Sequence, residues 1–184
     1  MKPKYAALLI IAGFLVFAPS YEAQAVQMFL QLSPLQGESR DHAHRNWMDV
    51  LSFDMGLKNP SASSFGTTRT AGKAQFGGLV LTKNLDKASV LLALAVSEAR
   101  RFPKAIFEVQ KPGGESPLML RITLEDVTVT SIQSGGSGGE DKPIETIELT
   151  YGRITRQYFP RNPDGSAATP IQSSWDVRTN QRFK

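Results

Sequence analysis

Two long alternating runs on either side of a glycine-rich stretch constrain this chain more than any other feature. Residues 121–159 contain both runs, separated by Gly135, Gly136, Gly138 and Gly139. On the first arm Leu118, Leu120, Ile122 and Leu124 fall on one face, while Arg121, Thr123 and Glu125 fall on the other. That period of two is the signature of a strand with one buried side. After Glu125 and Asp126 the apolar set shifts to Val127 and Val129, which predicts a bulge or bend that re-aims the strand without ending it. The second arm shifts in the same way: Ile147, Leu149 and Tyr151 alternate with Glu148 and Thr150, and beyond Gly152 the apolar positions become Ile154 and Tyr158. Glycine stands where a kink is cheapest. Two bent arms of one long hairpin predict a curved sheet closing into a barrel.

The remaining sequence suits that architecture. The chain has 184 residues, 41% of them hydrophobic, enough for a single domain with a core. It contains no cysteine, which excludes disulfides and thiolate chemistry. Residues 1–25 read as a secretory signal peptide: Lys2 and Lys4 lead an apolar run over residues 6–18, and Ala23, Gln24 and Ala25 form a small-residue cleavage site. That run falls short of the roughly 20 residues a membrane-spanning helix needs, so no stable membrane insertion is expected. A start of translation at Met28 is the competing reading, and it would leave the protein in the cytoplasm. The leader takes two of the 21 basic and one of the 17 acidic residues, leaving 19 and 16 with no basic run. Nucleic acid is therefore not an expected partner.

Residues 26–184 form the expected single domain. Residues 27–32 read as a strand, and a second begins at Trp47, with Leu51, Phe53, Met55 and Leu57 on one side and Met48, Val50, Ser52 and Asp54 on the other. Residues 58–74 are small and polar, a long exposed loop. Residues 76–83 return to strand character, with Gly77 and Gly78 marking a bulge or close approach. One helix is predicted over residues 87–101, with Asp86 as its cap, Arg100 and Arg101 at its negative end, and Phe102 and Pro103 as its stop. Its apolar residues 90–96 wrap nearly the whole cylinder, so it needs cover on more than one side, from the domain's own barrel or from a neighbouring subunit. Strands follow at residues 104–111 and 171–178, and residues 180–184 are expected to fray.

Motifs that could carry chemistry are sparse. Asp41, His42, Ala43 and His44 would place both histidines on one side of an extended backbone, and a metal would need Glu38, Asp41 or Asp49 as a third ligand. Two solvated loop histidines are the reading preferred here. The glycine-rich loop is not a phosphate loop, because Pro143 follows Lys142 where Ser or Thr should stand and strands flank it. No nucleophile elbow accompanies either histidine, and the carboxylates are dispersed. No catalytic, cofactor-binding or metal-binding residue is assigned, and no cofactor is expected.

Several local strings in order resemble the hemolysin-coregulated protein (Hcp) family, the tube subunits of type VI secretion systems. They are Met28-Phe29-Leu30 followed by Gly37-Glu38-Ser39, then Asp49-Val50-Leu51-Ser52-Phe53, then Leu81-Thr82-Lys83-Asn84-Leu85-Asp86-Lys87-Ala88-Ser89. Ile122-Thr123-Leu124-Glu125-Asp126-Val127, the glycine-rich loop, residues 145–149 and Trp175-Asp176-Val177-Arg178 complete the set. The resemblance spans almost all of residues 28–180. It implies a mainly β fold, a compact barrel of two curved antiparallel sheets with one helix. It also implies a non-enzymatic homo-hexameric ring that stacks into a tube, carries effector proteins, meets spike and sheath proteins, and is itself secreted. Residues 58–74 and 134–142 are the loops expected to serve stacking, and the apolar girth of residues 90–96, Leu91, Leu92 and Leu94 among them, makes these the helix residues expected to border the subunit seam. A cleavable leader departs from that family, whose tube assembles in the cytoplasm. The alternative is a monomeric exported β-barrel that binds a small ligand or glycan; a hydrolase on the same scaffold would need a cleft of convergent titrating groups.

Overall fold

The computed structural model describes residues 25–60, 73–111, 118–139 and 141–183. Eight strands and one helix follow in the order β1 (Gln27–Gln31), β2 (Met48–Lys58), β3 (Gln75–Asn84), α1 (Ser89–Ser97), β4 (Arg101–Gln110), β5 (Leu118–Gly135), β6 (Ile144–Tyr158), β7 (Ile171–Asp176) and β8 (Gln181–Arg182). All the pairings are antiparallel, in the order β3-β2-β1-β4-β5-β6-β7-β8. A further pairing, β3 with β6, closes the sheet into a barrel. The first half of β6 makes that closing seam, and its second half pairs with β7.

The long hairpin is β5 and β6, and it bends where the alternation slips. The register is continuous through the slip, with Glu125 opposite Arg153 and Val127 opposite Tyr151, so Asp126 lies opposite Gly152. On the other side the register places Asp126 opposite Pro103 of β4. Three residues that interrupt a regular strand thus form one row across three strands. Asp126 takes a positive φ of 55°, which turns the following side chains to the opposite face without inserting a residue. A Cβ on Gly152 would come within 3.2 Å of the Asp126 Cβ, so the glycine makes room for that turn. Buried residues change parity across this crease, from Leu124 to Val127 on β5 and from Phe102 to Ala105 on β4. The one register shift between β5 and β6 lies further on, between Val129 and Ser131, and not at Asp126.

The core fills the barrel. Leu30, Leu79, Leu81, Phe107, Leu124 and Ile147 are all nearly or wholly buried, and each such side chain contributes roughly 1.5–3 kcal/mol. β2 behaves differently along its length. Met48 and Val50 are buried, but a register shift between Val50 and Ser52 leaves Leu51 exposed and brings Phe53 opposite the buried Leu81. Beyond Val50 no β1 residue pairs with β2, so Phe53 stays half-exposed at an open barrel mouth while its ring meets Phe107 at 4.9 Å. A second β2 irregularity, between Met55 and Leu57, faces Gly77 and Gly78.

Helix α1 is shorter than residues 87–101. Its N-cap is Ala88, with no side-chain cap, and Asp86 instead holds the turn that leads into it: its carboxylate accepts the Ala88 N–H at 2.9 Å, and the Asp86 N–H donates to Ser89 Oγ at 3.0 Å. The C-terminus comes early because Ala99 adopts a positive φ of 49°. Arg100 N–H then reaches Ala95 O and Ala99 N–H reaches Val96 O, a Schellman pair. Arg100 and Arg101 therefore lie beyond the last turn, and Phe102 and Pro103 belong to β4. Gln181 and Arg182 do not fray but pair with β7 as β8. The expected leader falls outside the described residues except for Ala25, as does most of the loop over residues 58–74.

Candidate functional site

The helix offers the clearest functional surface. Ser89, Leu92 and Ala95 are buried, whereas Val90 is 77% exposed, Leu91 45% and Leu94 49%. Among the described residues no other element covers that outer face, although its residues are as apolar as those beneath. The expected seam residues divide accordingly: Leu91 and Leu94 face outward, while Leu92 is fully buried and belongs to the core. Open strand edges accompany the face. Among the described residues, β2 beyond Val50 and β7 before Trp175 each have a paired neighbour on one side only, and an unpaired edge is a template for another strand.

Beneath the first turn of α1 lies a buried ion network on the closing seam. Lys83 and Glu145 are direct cross-strand neighbours and both are 0% exposed. Lys83 Nζ lies 2.7 Å from Glu145 Oε1 and 2.9 Å from Asp86 Oδ1, and it donates to Asn84 O at 2.8 Å. Ser89 Oγ donates to Glu145 Oε1 at 2.8 Å, tying the helix to the wall. Glu145 Oε2 is buried without a hydrogen-bond partner. The sequence carried a signal for this pair: Lys83 shares parity with Leu79 and Leu81, and Glu145 with Ile147 and Leu149.

A second network sits on the outside of the barrel. Phe29, Glu108 and Arg121 form one cross-strand row over β1, β4 and β5, and the loop over residues 37–47 folds His44 onto it. The His44 ring stacks on Phe29 at 4.1 Å and meets the Trp47 edge at 4.8 Å. His44 Nδ1 lies 2.6 Å from Asp41 Oδ1 and Nε2 lies 2.7 Å from Glu108 Oε2, while Arg121 Nε donates to Glu108 Oε1. Burial pushes the Asp41 carboxyl up, but the hydrogen bonds from His44 outweigh it and hold the pKa below the ordinary value. His44 is thus a buried structural residue and not a solvated one, and His42 alone is exposed. Residues 42–46 bend and turn, so the two histidines do not share a side. Among the described residues no group of three His, Asp or Glu is placed to hold a metal.

A cavity of about 210 Å³ opens beside Leu57, Phe76, Arg156 and Trp175. Phe76 and Trp175 stack at 6.2 Å across it, and Trp175 Nε1 is buried without a partner. Beside it Asp176 fastens β7 to β6. Its carboxyl is held well below the ordinary range, first by the Arg153 hydrogen bond at 2.8 Å, then by the Thr179 N–H and by Arg178. Among the described residues no helix is long and apolar enough to cross a membrane.

Comparison with known proteins adds a consistent set of likenesses. Residues 29–158 match the family model described as type VI secretion system effector, Hcp. Protein hcp1 of Pseudomonas aeruginosa is 35% identical over 158 residues, covering 85% of this chain and 98% of that protein. Among solved structures, a type six secretion system protein superposes with a TM-score of 0.81 at 33% identity, covering 86% of this chain and all of that one. Hcp1 from Salmonella typhimurium gives 0.70 at 26% identity, covering 86% of this chain and 99% of that one.

Proposed function

Because the chain belongs to the Hcp family of type VI secretion proteins, we propose that it is a structural tube subunit: a hexameric ring that stacks, carries effector proteins, and is itself secreted. The observation that carries this reading is the outer face of α1. Val90, Leu91 and Leu94 are apolar and exposed on a helix whose inner face is already packed. A monomer would leave them in water, whereas a ring supplies their cover. The open edges of β2 and β7 favour a cyclic, head-to-tail arrangement, in which one edge meets a different surface and the rotation closes.

The function is assembly and not chemistry. In both ion networks, around Lys83 and around His44, the charged groups are engaged with one another, and Lys83, Glu145, His44 and Glu108 are buried. We further propose that residues 1–25 are a removable leader. Ala25 and Val26 are exposed just ahead of β1, within reach of a peptidase. N-terminal sequencing tests this: a chain beginning at Val26 supports export, and an intact leader or a start at Met28 overturns it. Negative-stain imaging of the purified protein tests the ring. Six-membered rings of uniform diameter are expected, and a population of single barrels overturns the proposal in favour of a monomeric binding module. Stacking is assigned to the loops over residues 58–74 and 134–142, so shortening either should abolish stacked rings with little change in subunit Tm.

A further inference from the structure

Four cations with no ion pair among the described residues converge on one hollow. Arg40 and Arg45 stand on one rim, Lys87 and Lys142 line the same space, and the volume enclosed is about 860 Å³. All four are exposed. Elsewhere Arg101, Arg121, Arg153 and Arg178 are each in a salt bridge. What distinguishes these four is that they line one hollow together.

The hollow is also built on fixed ground. Arg40 and Arg45 ride the loop over residues 37–47, which is closed by Ser39 N–H to Trp47 O at 3.0 Å and Asn46 N–H to Ser39 O at 3.0 Å. The same loop is pinned from below by His44 on Asp41 and Glu108. Lys87 follows Asp86 of the Lys83 network, and its own N–H is held by Glu38 Oε1 at 3.1 Å. Lys142 precedes Pro143, whose carbonyl accepts the Leu85 N–H at 2.9 Å. The backbones carrying the four cations are thus held by these hydrogen bonds and by the two ion networks beside them before any partner arrives, which lowers the ordering cost of binding.

We propose that this hollow is a docking surface for an acidic segment of a partner protein. The two carboxylates in its lining, Glu38 and Asp49, argue for that class. A polymer with a negative charge at every unit would meet them in repulsion, whereas a polypeptide can set a lysine or arginine against Asp49 and its carboxylates against the cations. The surface belongs to the single subunit, so its test stands whether or not rings form.

The experiment is fluorescence anisotropy with a short labelled peptide of glutamates carrying one lysine, titrated with the purified protein at low and at physiological salt. The peptide should bind, more weakly as salt rises. The double variant Arg40→Glu with Arg45→Glu should weaken it by about tenfold or more, and Lys87→Glu with Lys142→Glu should do the same from the other rim. Lys104→Glu, at an exposed position of β4, should leave binding unchanged, and circular dichroism confirms that each variant is folded. Equal weakening by Lys104→Glu, or no binding by the wild type, overturns the proposal. So does tighter binding of inorganic polyphosphate, which would mark a general anion surface. Loss of ring mass in both rim variants without loss of peptide binding would assign the hollow to a second copy of this chain and overturn it equally.

Discussion

Along β5 and β6 the residues turned inward, Ile122, Leu124, Ile147 and Leu149, are buried, and the alternating positions carry threonine, arginine or glutamate. Along α1 no such division exists. Leu92 and Leu94 are chemically identical and two residues apart, yet one is wholly buried and the other is 49% exposed. The wall of the barrel is written for water on its outer side, and the helix is written for a second apolar surface there. On the proposed function, stability and assembly reside on opposite faces of one short element, and substitutions should separate them.

The largest effect is expected where wall and helix join. Lys83→Met leaves Glu145 and Asp86 buried without their cation, and losing one partner of a buried pair costs about 3–5 kcal/mol. Urea unfolding should show that loss, and an unchanged midpoint would mean the seam is not held by this pair. Next, Leu92→Ala should cost about 2–5 kcal/mol as a core cavity, whereas Leu94→Ala should change subunit stability by less than about 1 kcal/mol. Similar losses at both positions would erase the distinction between the faces.

A pH effect sharpens the comparison from the wall's side. The Asp176 carboxyl titrates well below its ordinary value in the fold, principally through Arg153. Its stabilisation is complete above the unfolded value, roughly 3.9, and is lost as pH falls through the lower folded value. The attachment of β7 should therefore loosen only in strong acid, reported by Trp175 fluorescence, and Asp176→Asn should remove that step. The smallest effect is at the helix end. Ala99 occupies a left-handed conformation that glycine adopts freely, so Ala99→Gly should raise stability by roughly 0.5–1 kcal/mol without changing assembly. Thermal unfolding measures it, and a decrease would show that the Schellman ending does not govern where the helix stops.

Much of the barrel was legible because its determinants are local. The slip after Asp126 and the glycine at 152 gave the bend, though the row also includes Pro103, which read more naturally as a helix stop. The helix ended early for a reason no pattern reveals, a left-handed alanine stabilised only by its own backbone bonds. For His44 the sequence favours a solvated ring, because nothing near it in sequence predicts that its loop folds onto Phe29, Glu108 and Arg121. Those three become neighbours only through strand pairing. Lys83 is the opposite case: its parity with Leu79 and Leu81 placed it inside, and a buried lysine is simply uncommon enough to be passed over. The apolar girth of α1 was visible at once, but only the packed structure divides Leu92 from Leu91 and Leu94.

The central claim is that the outer face of α1 holds subunits together, and light-scattering mass measured with far-ultraviolet circular dichroism on Leu94→Asp tests it most directly. The wild type should have the mass of a ring. Leu94→Asp should fall to the mass of one subunit with an unchanged spectrum, because a desolvated carboxylate at a contact costs several kcal/mol, and Leu92→Asp should unfold. A folded Leu94→Asp that keeps the ring mass would contradict the account.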